Sequence, residues 1–121
     1  MRQISIGDRQ YRIMVSERDS QWVARAIRTD TGDRFGIECA GGSDGEAAAR
    51  LTRWLLWQSQ HTAALENLQA AERAYHRAIA GSAFADPIAN PAATEIQQAS
   101  LDAVEAARVR LDEVRGQNPE V

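Results

Sequence analysis

The sequence predicts an α+β fold: an N-terminal antiparallel sheet of three or four strands packed on a long helix, followed by an antiparallel helical hairpin. Three observations carry this. Residues 1–42 alternate apolar and polar side chains with period two. The stretch "GGSDGE" then breaks that pattern. From there on, apolar residues recur at helical spacing in two segments separated by "GSAFADPIANP".

The strands follow in order. "QISIG" forms a short first strand. In "YRIMVSE", Tyr11, Ile13 and Val15 point one way and Arg12, Met14 and Ser16 the other. "QWVARAIRT" alternates too, with Val23 and Ile27 opposite Trp22, Ala24 and Ala26. The polar "RDS" between these two strands reads as a hairpin turn. "TDTGD" is a second turn, where Gly32 can take a positive φ. "RFGIECA" completes the sheet, which spans residues 1–42.

Ser43 and Glu46 have the spacing of a capping box, in which each side chain accepts a hydrogen bond from the other residue's backbone N–H. The long helix is expected over 43–81, ending near Ala80 with Gly81 as its stop. At 1.5 Å per residue it is about 55 Å long, more than a small sheet can cover. A linker occupies 82–90, with Pro87 inside it. Asn90 suits an N-cap and Pro91 the first helical position. The second helix spans 91–116 and ends at Gly116, with 117–121 as a tail. Its stripe is built mostly of small residues: Ala93, Ser100, Val104, Ala107, Leu111 and Val114. That stripe suits close packing on the first helix. The whole chain of 121 residues is expected to form a single domain.

On a heptad reading, the first helix has one seam from Leu51 to Ile79. It contains Trp54, Gln58, His61, Leu65, Leu68, Glu72 and Tyr75. Trp54 is expected to pack on the sheet. Trp57 lies to one side of the seam and needs a second helix or chain to cover it. The expected interaction seam is therefore Trp54, Trp57, Gln58, His61, Leu65, Leu68 and Tyr75, with Val104 and Leu111 from the second helix. Gln58 and His61 are one turn apart in it, where polar pairs can specify register.

Chemistry-bearing constellations are sparse. Glu72 and His76 are four apart, where di-iron bundles place Glu and His three apart. His61 precedes Glu72 by about 16 Å of helix, too far for one ion to bridge. No metal ligands, cofactor or catalytic residues are assigned. An enzyme pairing Cys39 with His61 or His76 is the remote option. Against it, Cys39 reads as a small strand-end residue, kept as a thiol by neighbouring Glu38. "AGGSDGE" has no GK[ST] or GxGxxG, so it is no phosphate loop. An anion could sit at the helix N-terminus, in competition with the capping box.

The formal net charge is −3. All 14 basic residues are arginines. A dedicated nucleic-acid binder would show a basic excess, so no direct nucleic-acid contact is expected. Arg12, Arg25 and Arg28 could line an exposed sheet face, read here as solvated. A lone cysteine makes no intramolecular disulfide. With no apolar run of about 20 residues, no membrane span is expected, and the expected setting is the cytoplasm.

The stretches "YRIMVSERDSQWVARAI" and "SDGEAAARLTRWL" resemble the HicB-like antitoxin fold over residues 10–57. There a Y-x-I-x-V strand leads through a turn to an aromatic-bearing strand, a third strand and a helix opened by an acidic "EA" segment. The resemblance implies a fold fragment. The family's Gly-Cys step is absent, since Glu38 precedes Cys39, and its C-terminal DNA-binding element is replaced by the helical hairpin. The function expected is that of a small non-enzymatic interaction or assembly protein, a homodimer through its helices. The alternative is a HicB-like regulator or antitoxin that binds a partner protein.

Overall fold

The computed structural model describes residues 2–82 and 92–119, the side chain of Ser82 aside. The expected linker, with Pro87 and Asn90, lies outside the described residues, as does Pro91. The elements are β1 (Arg2–Ile6), β2 (Arg9–Arg18), β3 (Gln21–Arg28), β4 (Arg34–Gly41), α1 (Asp44–Ser82) and α2 (Ala92–Gly116). The fold is α+β, with a four-stranded sheet in the order β1-β2-β3-β4 and α2 packed on α1 as a hairpin. Among the described residues, no helix is long and apolar enough to cross a membrane.

Two compact units are present. One comprises residues 1–59 and 118–121, the other 60–117. The division falls inside α1, between Ser59 and Gln60, and not at the Gly/Pro-marked boundaries on which the sequence is punctuated.

In the first unit all strand pairs are antiparallel, and turn chemistry sets their register. Asp19 and Ser20 both have positive φ, 53° and 66°. That is the signature of the type I′ turn, whose twist matches that of the flanking strands. The turn is therefore two residues long, and Arg18 of the expected "RDS" turn is the last residue of β2. Gly32 has the expected positive φ, and its N–H donates to Arg28 O at 2.8 Å. Ile13 lies opposite Ala26, Val15 opposite Ala24, and Ala24 opposite Cys39. Cross-strand partners share a face. The face so defined buries Tyr11, Ile13, Ala24, Ala26 and Cys39.

α1 lies on that face through Ala47, Ala48, Leu51 and Leu55, spaced three or four apart as one helical stripe requires. Alanines on both sides let backbone approach backbone. At Gly41 the fit is tight: a Cβ there would stand 2.6 Å from the Ala47 backbone nitrogen. β4 also bulges. Between the pairs Ala24–Cys39 and Ala26–Phe35, β3 contributes one residue and β4 three. Gly36 sits in the bulge at φ +77°, and the Trp54 indole occupies the space its Cβ would take, 2.7 Å from Cη2. The bulge re-aims the strand and leaves a slot for the ring. Phe35 flanks it, with centroids 6.4 Å from Trp54 and 5.2 Å from Tyr11.

The second unit holds the rest of α1 together with α2. Among its described residues, the buried apolar ones are Ala64, Val104, Leu111 and Val114. The helix ends differ from expectation in one respect. Neither Gly81 nor Gly116 has the positive φ of a left-handed cap, and α1 runs through Gly81 to Ser82. At the end of α2 the Gln117 N–H donates to Val114 O at 3.0 Å, a three-residue closure that serves in place of the glycine cap.

Candidate interaction seam

The seam of α1 is divided between the two units. Leu51 is fully buried under the sheet, and Trp54 is half-buried against Phe35 and Gly36. Trp57 and Gln58 are half-buried in the same unit. His61, Leu65, Leu68, Glu72 and Tyr75 are half-buried in the hairpin unit. Ile79 is 37% exposed. On α2, Val104 and Leu111 are each 3% exposed. The small side is thus closed, and the large side chains of the facing helix remain half open. Three apolar residues outside the seam add to this: Leu56 at 47% exposure and Ile96 and Val109 at 58% each.

The chemistry-bearing residues are placed as follows. Cys39 is buried in the sheet, opposite Ala24 and behind α1. Burial raises its thiol pKa, and the charge of Arg50 opposes that shift. The sequence pointed to Glu38 as the cause, but Glu38 turns to the opposite face, where Arg34 and Arg18 hold it at 2.7 and 3.5 Å. Arg50, eleven positions away on α1, is a neighbour that reading along the chain misses. Its guanidinium donates to Ala40 O at 3.2 Å and pairs with Glu46 at 3.1 Å. His76 is exposed, with its ring 6.2 Å from Tyr75. Among the described residues, no group of three or more His, Cys, Asp or Glu stands where it could hold a metal ion.

The N-terminus of α1 is capped from within. Glu46 N–H donates to Ser43 Oγ at 3.1 Å, as the capping box requires. The reciprocal bond differs from expectation: the Glu46 carboxylate accepts from Gly42 N–H at 3.1 Å, one residue before Ser43. Asp44 Oδ1 accepts from Gly45 N–H at 2.7 Å. The chain's own oxygens therefore take the donors an anion would need.

The sheet face away from α1 carries the arginines. Arg12 lies opposite Ile27 and Arg25 opposite Met14, so both point away from the core. Arg28 is on the other face, opposite Tyr11, in contrast to its expected place beside Arg12 and Arg25. It donates to both carboxylate oxygens of Asp30, at 3.1 and 2.7 Å. Those bonds hold the Asp30 carboxyl below its ordinary pKa and raise that of Arg28.

No protein-family model, curated protein or solved structure matches this chain, and nothing in these comparisons bears on the HicB-like resemblance.

Proposed function

We propose that this protein is a non-catalytic interaction module that self-associates through its helical part. The observation carrying this reading is the half-covered seam of α1, where Leu65, Leu68 and Tyr75 stay partly open although Val104 and Leu111 opposite are buried. Large apolar and aromatic side chains gain most when a partner completes their burial. Exposed Ile96 and Val109 add to the surface a second copy could cover. Gln58 and His61, half-buried one turn apart, serve to specify register in this reading.

Sedimentation of the purified chain over a wide concentration range tests it: a monomer throughout would overturn the reading. Replacing both Gln58 and His61 with Leu should preserve or raise the melting temperature, because a desolvation cost is removed. It should also yield mixed oligomers on size-exclusion chromatography. One sharp oligomeric state with loss of a bound ion or small molecule would assign the pair to a ligand site.

A second reading, a HicB-like regulator that binds a partner protein, is supported by the strand–strand–strand–helix order of residues 10–57. Stable co-purification with a small basic protein encoded beside it would favour that reading.

A further inference from the structure

Among the described residues, the sheet face opposite α1 is basic in a chain that is acidic overall. It presents Arg12, Arg18, Arg25 and Arg34 with a single carboxylate, Glu38, in a chain of net charge −3. Glu38 is engaged by Arg18 and Arg34. Arg12 and Arg25 have no carboxylate within ion-pair distance among the described residues. Beside them on that face lie Met14, Val23 and Ile27, each half-buried. Guanidinium groups interleaved with aliphatic side chains make a protein-binding surface, since Arg and Met are enriched at such interfaces. The face has no aromatic side chain, so it lacks the stacking platform that single-stranded nucleic acid uses.

α2 carries the complement. Val104, Leu111 and Val114 define its buried side. On the opposite side, Glu95, Asp102, Glu105, Val109 and Glu113 recur at helical spacing, and all are exposed. Among the described residues, Glu113 alone of these carboxylates pairs with a basic side chain, Arg110 on the same helix, at 3.7 Å. Arg12 and Arg25 are diagonal neighbours across β2 and β3, about 7–8 Å apart. Carboxylates three or four positions apart on a helix stand about 5–6 Å apart. The two spacings lie within reach of flexible arginine side chains.

We infer that the open sheet face of one copy receives the acidic outer stripe of α2 from a second copy. This rests on the self-association proposed above and adds to the α1 seam a second, charged contact. Sheet face on sheet face would bring arginine against arginine, so the contact joins two different patches, and a dimer that closes with two-fold symmetry makes it in both directions.

Charge reversal on each side tests the inference. One variant carries Arg12→Glu and Arg25→Glu, the other Asp102→Arg and Glu105→Arg. None of these residues is in either core, and circular dichroism checks that both variants fold. Each variant alone should associate on the order of tenfold more weakly than the parent chain. An equimolar mixture should recover association, because both contacts of the mixed dimer again join opposite charges. Association of the parent chain should weaken with added salt. Undiminished association of either variant, or a mixture no tighter than its components, would overturn the inference and leave self-association standing. A parent chain that stays monomeric would overturn both. Weakened self-association accompanied by tight binding of the parent chain to a single-stranded DNA oligonucleotide through Arg12 and Arg25 would also overturn it.

Discussion

The two units bury their apolar surface in different ways. The sheet unit encloses ten side chains in one core, from Ile6 to Leu55. The hairpin unit, of similar length, buries Ala64, Val104, Leu111 and Val114 among its described residues. A pleated sheet offers a flat surface, so one helix lying on it seals a whole face. Alanines at 24, 26, 47 and 48 bring the layers close, and the Gly36 slot admits an indole. Two helices meet only along a line. Large residues beside that line, such as Leu65, Leu68 and Tyr75, are covered on one side alone. The core of the sheet unit is thus closed by its own helix, whereas Leu65, Leu68 and Tyr75 of the hairpin are left half-covered.

The largest expected effect comes from Gly36→Val. A β-branched residue at φ +77° is strained, and its side chain would overlap Trp54. Together these should cost about 4 kcal/mol. Thermal unfolding should show a much lower midpoint, with loss of the near-ultraviolet signal of the aromatic cluster. A parent-like midpoint would mean that the bulge and slot do not organise the sheet unit.

Next in size is Val104→Asp, which places a carboxylate where the native side chain is 3% exposed. It should cost about 3 kcal/mol. Its signature should be loss of helical ellipticity with the aromatic signal of the sheet unit retained. Simultaneous loss of both signals would show that the units melt as one, and an unchanged midpoint would argue against the hairpin.

The smallest effect concerns Cys39. Burial favours the neutral thiol, so the folded pKa lies above the unfolded one. The associated stability is complete below the ordinary thiol pKa near 9.0 and is lost as pH rises from there through the folded value. Alkylation at neutral pH should be slow until the chain is unfolded. The high-pH loss of stability should be smaller in a Cys39→Ala variant. Fast labelling of the folded protein would show that the sheet unit opens readily.

Much of this architecture is legible in the residues. Period-two alternation places Tyr11, Ile13 and Val15 on the core face, because successive side chains of a strand alternate by geometry. Ser43 and Glu46 mark the start of α1, since a helix leaves its first N–H groups without partners. The small-residue stripe of α2 announces close packing. These features are local and depend on neighbours a few positions away.

What escaped the sequence depends on contacts between distant residues. Gly36 reads as an ordinary strand glycine until the Trp54 ring, eighteen positions on, occupies its missing side chain. Arg28 is three positions from Arg25 in β3, so strand alternation puts the two on opposite faces, and the pairing of Arg28 with Tyr11 shows that its side is the core side. Cys39 owes its raised pKa to the helix that covers it and not to Glu38 beside it. Local patterns are enough to set the elements, their order and the residues each can bury. Long-range packing settles where β4 bulges, where α1 passes from sheet to hairpin, and which arginines find a carboxylate. The reason is that burial and charge pairing are properties of surfaces brought together, and a linear pattern specifies only one side of each.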